Sequence, residues 1–219
     1  MNQLSRSDFG LALLVTACAS CVDAAGFLKL GGFFIAFMSG NSTRLGVELG
    51  IGLLHEAGFA AGLIALFVGG VTFGTLLGYR AGRRRRSVLM LTSSALLALA
   101  AVGPDWWAVV PMLIAMGVVN ALFADNGGVR FGLTYMTGAL VRVGERLGAA
   151  AIGKGGPREW RAPAALWLAF VLGAMTGARL YGLIGLQLLW LPAGLLLMMG
   201  VLLFLREQAE ARRAGDQRA

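Results

Sequence analysis

The sequence predicts an all-α fold, a polytopic transmembrane bundle of six spans arranged as a 3+3 inverted repeat with two re-entrant or interfacial broken segments. Three observations carry that prediction. Charged residues make up only 14% of the 219 residues and hydrophobic ones 58%, with a mean hydropathy of +0.75, whereas a water-soluble domain carries about a quarter charged residues. Six apolar stretches recur along the chain, and two Gly-rich segments between them match each other. The length leaves one integral-membrane domain over residues 1–219 and no soluble catalytic module beside it.

The stretches run from Phe9 to Phe27, Gly58 to Gly78, Ser87 to Val102, Trp107 to Ala124, Ala162 to Leu180 and Gly182 to Leu205. About 20 helical residues cross a hydrocarbon core of roughly 30 Å, so most are long enough and the third is marginal. The first has features of a signal peptide, and Val15-Thr16-Ala17-Cys18 has the form of a lipoprotein cleavage box. Its counterpart inside the chain argues for a retained span. Trp106, Trp107 and Trp160 beside turn or basic residues fit an interfacial aromatic belt.

Segments Gly31 to Gly50 and Gly128 to Gly148 each open with an aromatic piece too short to cross, break at glycine, and then turn amphipathic. They match at a constant offset of 98: Phe33 with Phe131, Met38 with Met136, Gly40 with Gly138 and Arg44 with Arg142 among 7 identities in 18 positions. Chance would give roughly one or two, so the match reads as an internal repeat. An offset near 103 lays Gly70 and Gly74 on Gly173 and Gly177, two GxxxG pairs of the kind that let helices approach closely. Repeat 1 then covers about 9–103 and repeat 2 about 107–205, with a basic tail over 206–219. Three spans per half, an odd number, insert the second half upside down, as in many transporters.

Charge placement supports six spans with both termini in the cytoplasm. That threading puts 16 basic residues inside, including Arg83 to Arg86, and 3 outside (Lys29, Arg44 and Arg179). The net charge of +8 therefore marks topology and contact with membrane lipid rather than nucleic acid.

The runs Val22-Asp23-Ala24-Ala25-Gly26-Phe27 and Phe34-x-x-Phe37-Met38-Ser39-Gly40-Asn41-Ser42-Thr43-Arg44-Leu45-Gly46 resemble the YoaK-like membrane proteins of bacteria. The likeness is specific in the first 50 residues and looser beyond. It implies a bacterial inner-membrane protein, and it brings no accepted activity, substrate or site residues with it.

Candidate site residues follow from the sequence itself. A half-helix starting at Asn41 or Ser42 would aim its free N–H groups at the turn, where Ser39, Gly40, Thr43 and Arg44 gather. Helix N-termini of this kind bind anions. Thr137, Gly138 and Arg142 form the symmetric turn without the hydroxyl cluster. The plain alternative is that these residues cap a structural hairpin while the arginines reach head groups. Asp23 within the first span, with Asn120 and Asp125 at the matching level of the second half, are candidates for ion or proton coupling. The plain alternative for Asp23 is pairing with Lys29 or a helix end.

Cys18 and Cys21 have CxxC spacing but lie inside an apolar helix, where a packing role is expected. One histidine and two cysteines leave nothing for a metal or cofactor site and no nucleophile–base pair for an enzyme. The expected function is a transporter or channel for a small polar or anionic solute, with a homodimer completing so small a bundle. The competing expectation is a non-transporting membrane partner or assembly protein.

Overall fold

The structure is a computed structural model that describes residues 6–122, 124–125, 128–129 and 136–216. Its class is all-α, as the composition predicts. Eight helices make up the described residues in the order α1 (Arg6–Lys29), α2 (Met38–Gly50), α3 (Leu54–Ala81), α4 (Arg85–Val102), α5 (Val109–Ala121), α6 (Met136–Ala151), α7 (Arg161–Ile184) and α8 (Trp190–Asp216). A two-residue antiparallel pair, β1 (Ala124–Asp125) with β2 (Gly128–Val129), is the one non-helical pairing among those residues.

Six of the helices coincide with the six apolar stretches. Asp8–Lys29, Leu54–Val102 and Arg161–Glu210 are long and apolar enough to cross a membrane. The second and third each turn back at a short 3-10 segment that opens on a left-handed glycine, Gly82 (φ 54°) and Gly185 (φ 58°). Helices α3 and α4 then pack against each other, whereas α7 and α8 meet chiefly through the turn between them. Helix α5 is shorter, about 20 Å by its 13 residues.

Contacts between named residues set the helix directions. Gly70 lies against Ile114 and Gly74 against Val118, so α3 and α5 run parallel. Gly173 lies against Ala17 and Gly177 against Cys21, so α7 and α1 also run parallel. Ser94 donates to the Ala193 carbonyl and Ser87 to Glu207, so α4 and α8 are antiparallel. The six apolar helices thus alternate in direction and bring the start of α1 and the end of α8 to one end of the bundle.

The core sits between α1, α4 and α5 and the inner sides of α7 and α8, with Val15, Val22, Leu97, Met112, Met116 and Leu196 fully buried. The outer surface is also apolar: Leu168, Leu172 and Met175 of α7 and Met198, Leu202 and Leu205 of α8 are about half exposed or more. Such a surface fits hydrocarbon and not water.

Helix α2 shows the same inversion in miniature. Its buried positions are polar, Asn41 and Glu48, while Val47, Leu49 and the adjoining Ile51 are exposed.

Candidate functional site

Between α1 and α2 the chain passes through residues 31–37 without regular structure. Backbone N–H groups in such a stretch need acceptors, because lipid offers none. Asp23 on α1 supplies them: its Oδ1 accepts from the N–H of Ile35 and of Ala36, both at 2.7 Å. Asp23 lies six residues before the end of α1, so this stretch returns alongside α1 by about 9 Å before α2 climbs away. Gly26 permits the return, since a Cβ there would overlap the Ile35 side chain.

Asn41 completes the arrangement from the α2 side. It is fully buried. Its Oδ1 accepts from the Phe34 N–H at 2.9 Å, and its Nδ2 donates to the Phe34 carbonyl at 2.7 Å. The amide thus pairs with residue 34 as a neighbouring backbone strand would, using both of its polar ends.

Helix α2 begins at Met38, earlier than the expected start at Asn41 or Ser42, and Phe37 before it provides no side-chain cap. Ser42 and Thr43 are exposed and donate backwards to the carbonyls of Met38 and Ser39. Ser39 is exposed, and Gly40 is half-buried beneath the rings of Phe34 and Phe37.

Arg44 ties the end of α1 to α2. Its guanidinium carbon sits 3.6 Å from the centroid of the Phe33 ring. It pairs with Glu48 at 3.2 Å and donates to the Gly31 carbonyl at 3.3 Å. Glu48 is buried, and its second oxygen has no protein partner.

The structure thus brings Asp23, Asn41 and Arg44 onto one seven-residue stretch, which the sequence treated as separate features. The usable signal was the obligatory pairing of that stretch's backbone groups, for which Asp23 and Asn41 are the nearest polar side chains inside the bundle. Lys29 does not pair with Asp23; its Nζ lies 3.5 Å from Asp105, in the α4–α5 connection.

The second half is only partly described. Thr137 is exposed, Gly138 and Arg142 are half-buried, and all three lie on α6. Ala139 stands at the position equivalent to Asn41 and is buried. Asn120 donates to the Met116 carbonyl on its own helix. The side chain of Asp125 and residues 130–135, which open the second broken segment, lie outside the described residues.

At the opposite end of the bundle, the arginine cluster is divided among several helices. Arg84 lies over the Phe204 ring of α8, 4.9 Å from its centroid. Arg85 donates to the Ala121 carbonyl at the end of α5 at 2.8 Å, where a cation also complements the helix dipole. Arg86 pairs with Asp8 of α1. Cys18 and Cys21 are free and buried against α7.

The family model described as "Protein of unknown function (DUF1275)" matches residues 11–202. A UPF0700 transmembrane protein, RA0705 of Rhizobium meliloti (strain 1021), is 36% identical over 192 residues, covering 86% of this chain and 83% of that protein. No solved structure matches the chain.

Proposed function

Starting from the fact that the chain belongs to the DUF1275 family of uncharacterised membrane proteins, we propose that it is an inverted-repeat transporter or channel for a small polar or anionic solute. One observation supports the reading: several of the main helix contacts recur when the two halves are exchanged. Helix α1 packs along α7 as α5 packs along α3, α2 lies on α3 as α6 lies on α7, and α4 faces α8. Gly70 and Gly74 press on α5 as Gly173 and Gly177 press on α1. The left-handed Gly82 and Gly185 occupy equivalent turns, 103 residues apart.

Helices α1 and α5 start from opposite ends of the bundle, which supports an inverted rather than a parallel repeat. Transporters built this way place broken segments near the repeat interface, and the return of residues 31–37 to Asp23 supports a re-entrant first segment. By the positive-inside rule the Arg83 to Arg86 end faces the cytoplasm of a bacterial inner membrane, with both termini there. A homodimer would cover part of the apolar surface.

The test is flux into proteoliposomes for a panel of phosphate, sulfate, chloride and short carboxylates. Flux of at least one solute is expected, reduced tenfold or more by Arg44→Gln while the variant stays monodisperse. No flux across the panel would remove the transport reading, and unchanged flux in Arg44→Gln would remove this site. The full internal pairing of Asn41 favours a second reading, a non-transporting partner protein. That reading expects stoichiometric co-purification with one other membrane protein and no flux.

A further inference from the structure

A second site lies at the Lys29 end of the bundle, beside the Asp23 stretch, whose Phe33 packs edge-on against Phe59 of its wall with ring centroids 5.1 Å apart. There α1, α3 and α5 meet without closing, and a crevice of about 640 Å³ opens between them. Phe59, Leu63 and Leu66 of α3 and Val109 of α5 form apolar walls. Gly58 and Gly62 front the space from α3, and a Cβ built on either meets nothing within 4 Å. At the rim stand Lys29, Asp105 and Trp106.

The ion pair at the rim is lopsided. The Lys29 side chain is 15% exposed and that of Asp105 is 83% exposed. A recessed ammonium against apolar walls needs a counter-ion. Asp105 supplies one from solvent, and an ion pair so exposed on one side contributes little net stability. Lys29 is the only basic residue among those lining the crevice.

We propose that this crevice binds a monocarboxylate with an apolar body. The ligand's carboxylate sits on Lys29 in place of Asp105, and its hydrocarbon lies along Phe59, Leu63 and Val109. Exchange of one carboxylate for another leaves the charge at Lys29 balanced, so the burial of apolar surface decides in favour of the ligand. The volume falls within the range of small-molecule sites. A dianion would leave its second charge without a partner. Binding here does not depend on whether any solute crosses the membrane.

The experiment uses the full chain in zwitterionic nanodiscs and follows tryptophan quenching by 2-bromodecanoate, whose bromine stays beside the carboxylate at the rim, with uncharged 2-bromodecanol as the partition control. Saturable quenching by the acid is expected, absent with the alcohol and lost in Trp106→Phe. Lys29→Gln should weaken binding at least tenfold. Asp105→Asn should tighten it severalfold by removing the competing carboxylate, a gain that a purely structural ion pair would not produce. Gly62→Leu should abolish binding with unchanged thermal stability, because its side chain fills open space.

Equal quenching by acid and alcohol would mean bilayer partition only and would overturn the proposal. So would unchanged affinity in Lys29→Gln, or weakened affinity in Asp105→Asn. Quenching of Trp106 by brominated phosphatidylcholine that the acid does not relieve would show bulk lipid in the crevice, with the same consequence.

Discussion

A single carboxylate oxygen on α1 holds two backbone N–H groups of a stretch that has no ladder of its own. Asp23→Ala would leave both donors buried without acceptors, at about 1–3 kcal/mol each. The expected outcome is a clear fall in thermal stability in detergent, with amide exchange rising at Ile35 and Ala36 and not along α4. Asp23→Asn retains an oxygen at the same place and should show a much smaller effect. Exchange that stays slow at residues 35 and 36 in Asp23→Ala would show that packing alone holds the turn. The sequence marked Asp23 as a carboxylate inside an apolar span and Asn41 as part of a polar cluster at a broken segment. Their roles were not legible because the partners are backbone groups, which no pattern of side chains displays. Lys29 was misleading for the opposite reason: its partner, Asp105, is 76 positions away in sequence, while Asp23 is near.

Individual helices follow their sequence more closely. Each apolar stretch became a helix because unpaired backbone groups are so costly in lipid that a long apolar run has little alternative. The GxxxG pairs identified the packing faces correctly, and adjacent glycines on α3 allow a direct test. Gly70 abuts the Ile114 backbone, whereas Gly69 beside it has nothing within 4 Å. Gly70→Ala should therefore destabilise by about 1–3 kcal/mol through overpacking, while Gly69→Ala should leave stability unchanged or slightly raised, as expected for alanine in a helix. Equal responses in thermal unfolding would count against close α3–α5 packing. Less legible was where the short helices begin. The hydroxyls of α2 suggested a cap at Asn41 or Ser42, yet they bond within the helix, and the irregular stretch before Met38 is stabilised from outside by Asp23 and Asn41.

For the molecule as a whole, helix directions and basic residues make one joint statement about threading. With Cys18 and Cys21 replaced by alanine, a cysteine at Asp105 should react with an impermeant maleimide only from outside the cell. One at Arg83 should react only from inside. Reaction of both from one side would refute the alternation of helices, and a reversal of the two would invert the orientation. Cysteines at Asn41 and Ala139 should react slowly, since both positions are buried. The six apolar helices were readable because hydrophobic length marks each of them. The proposed relation between the halves rests on the segments where glycine and arginine recur, since lipid-facing positions accept many apolar residues.

Arg84, which ends the 3-10 turn, and Arg85 and Arg86, which open α4, have a bearing on how the chain is made. Arg86 finds its partner, Asp8, in a segment already synthesised when α4 emerges. Arg85 must wait for the end of α5, and Arg84 for Phe204 of α8, later still in synthesis. Neighbouring side chains are thus satisfied at three successive stages of biogenesis. A nascent chain halted after α5 would have its first two clasps fastened and the third still open, and only the arrival of α8 would lock the base of the bundle.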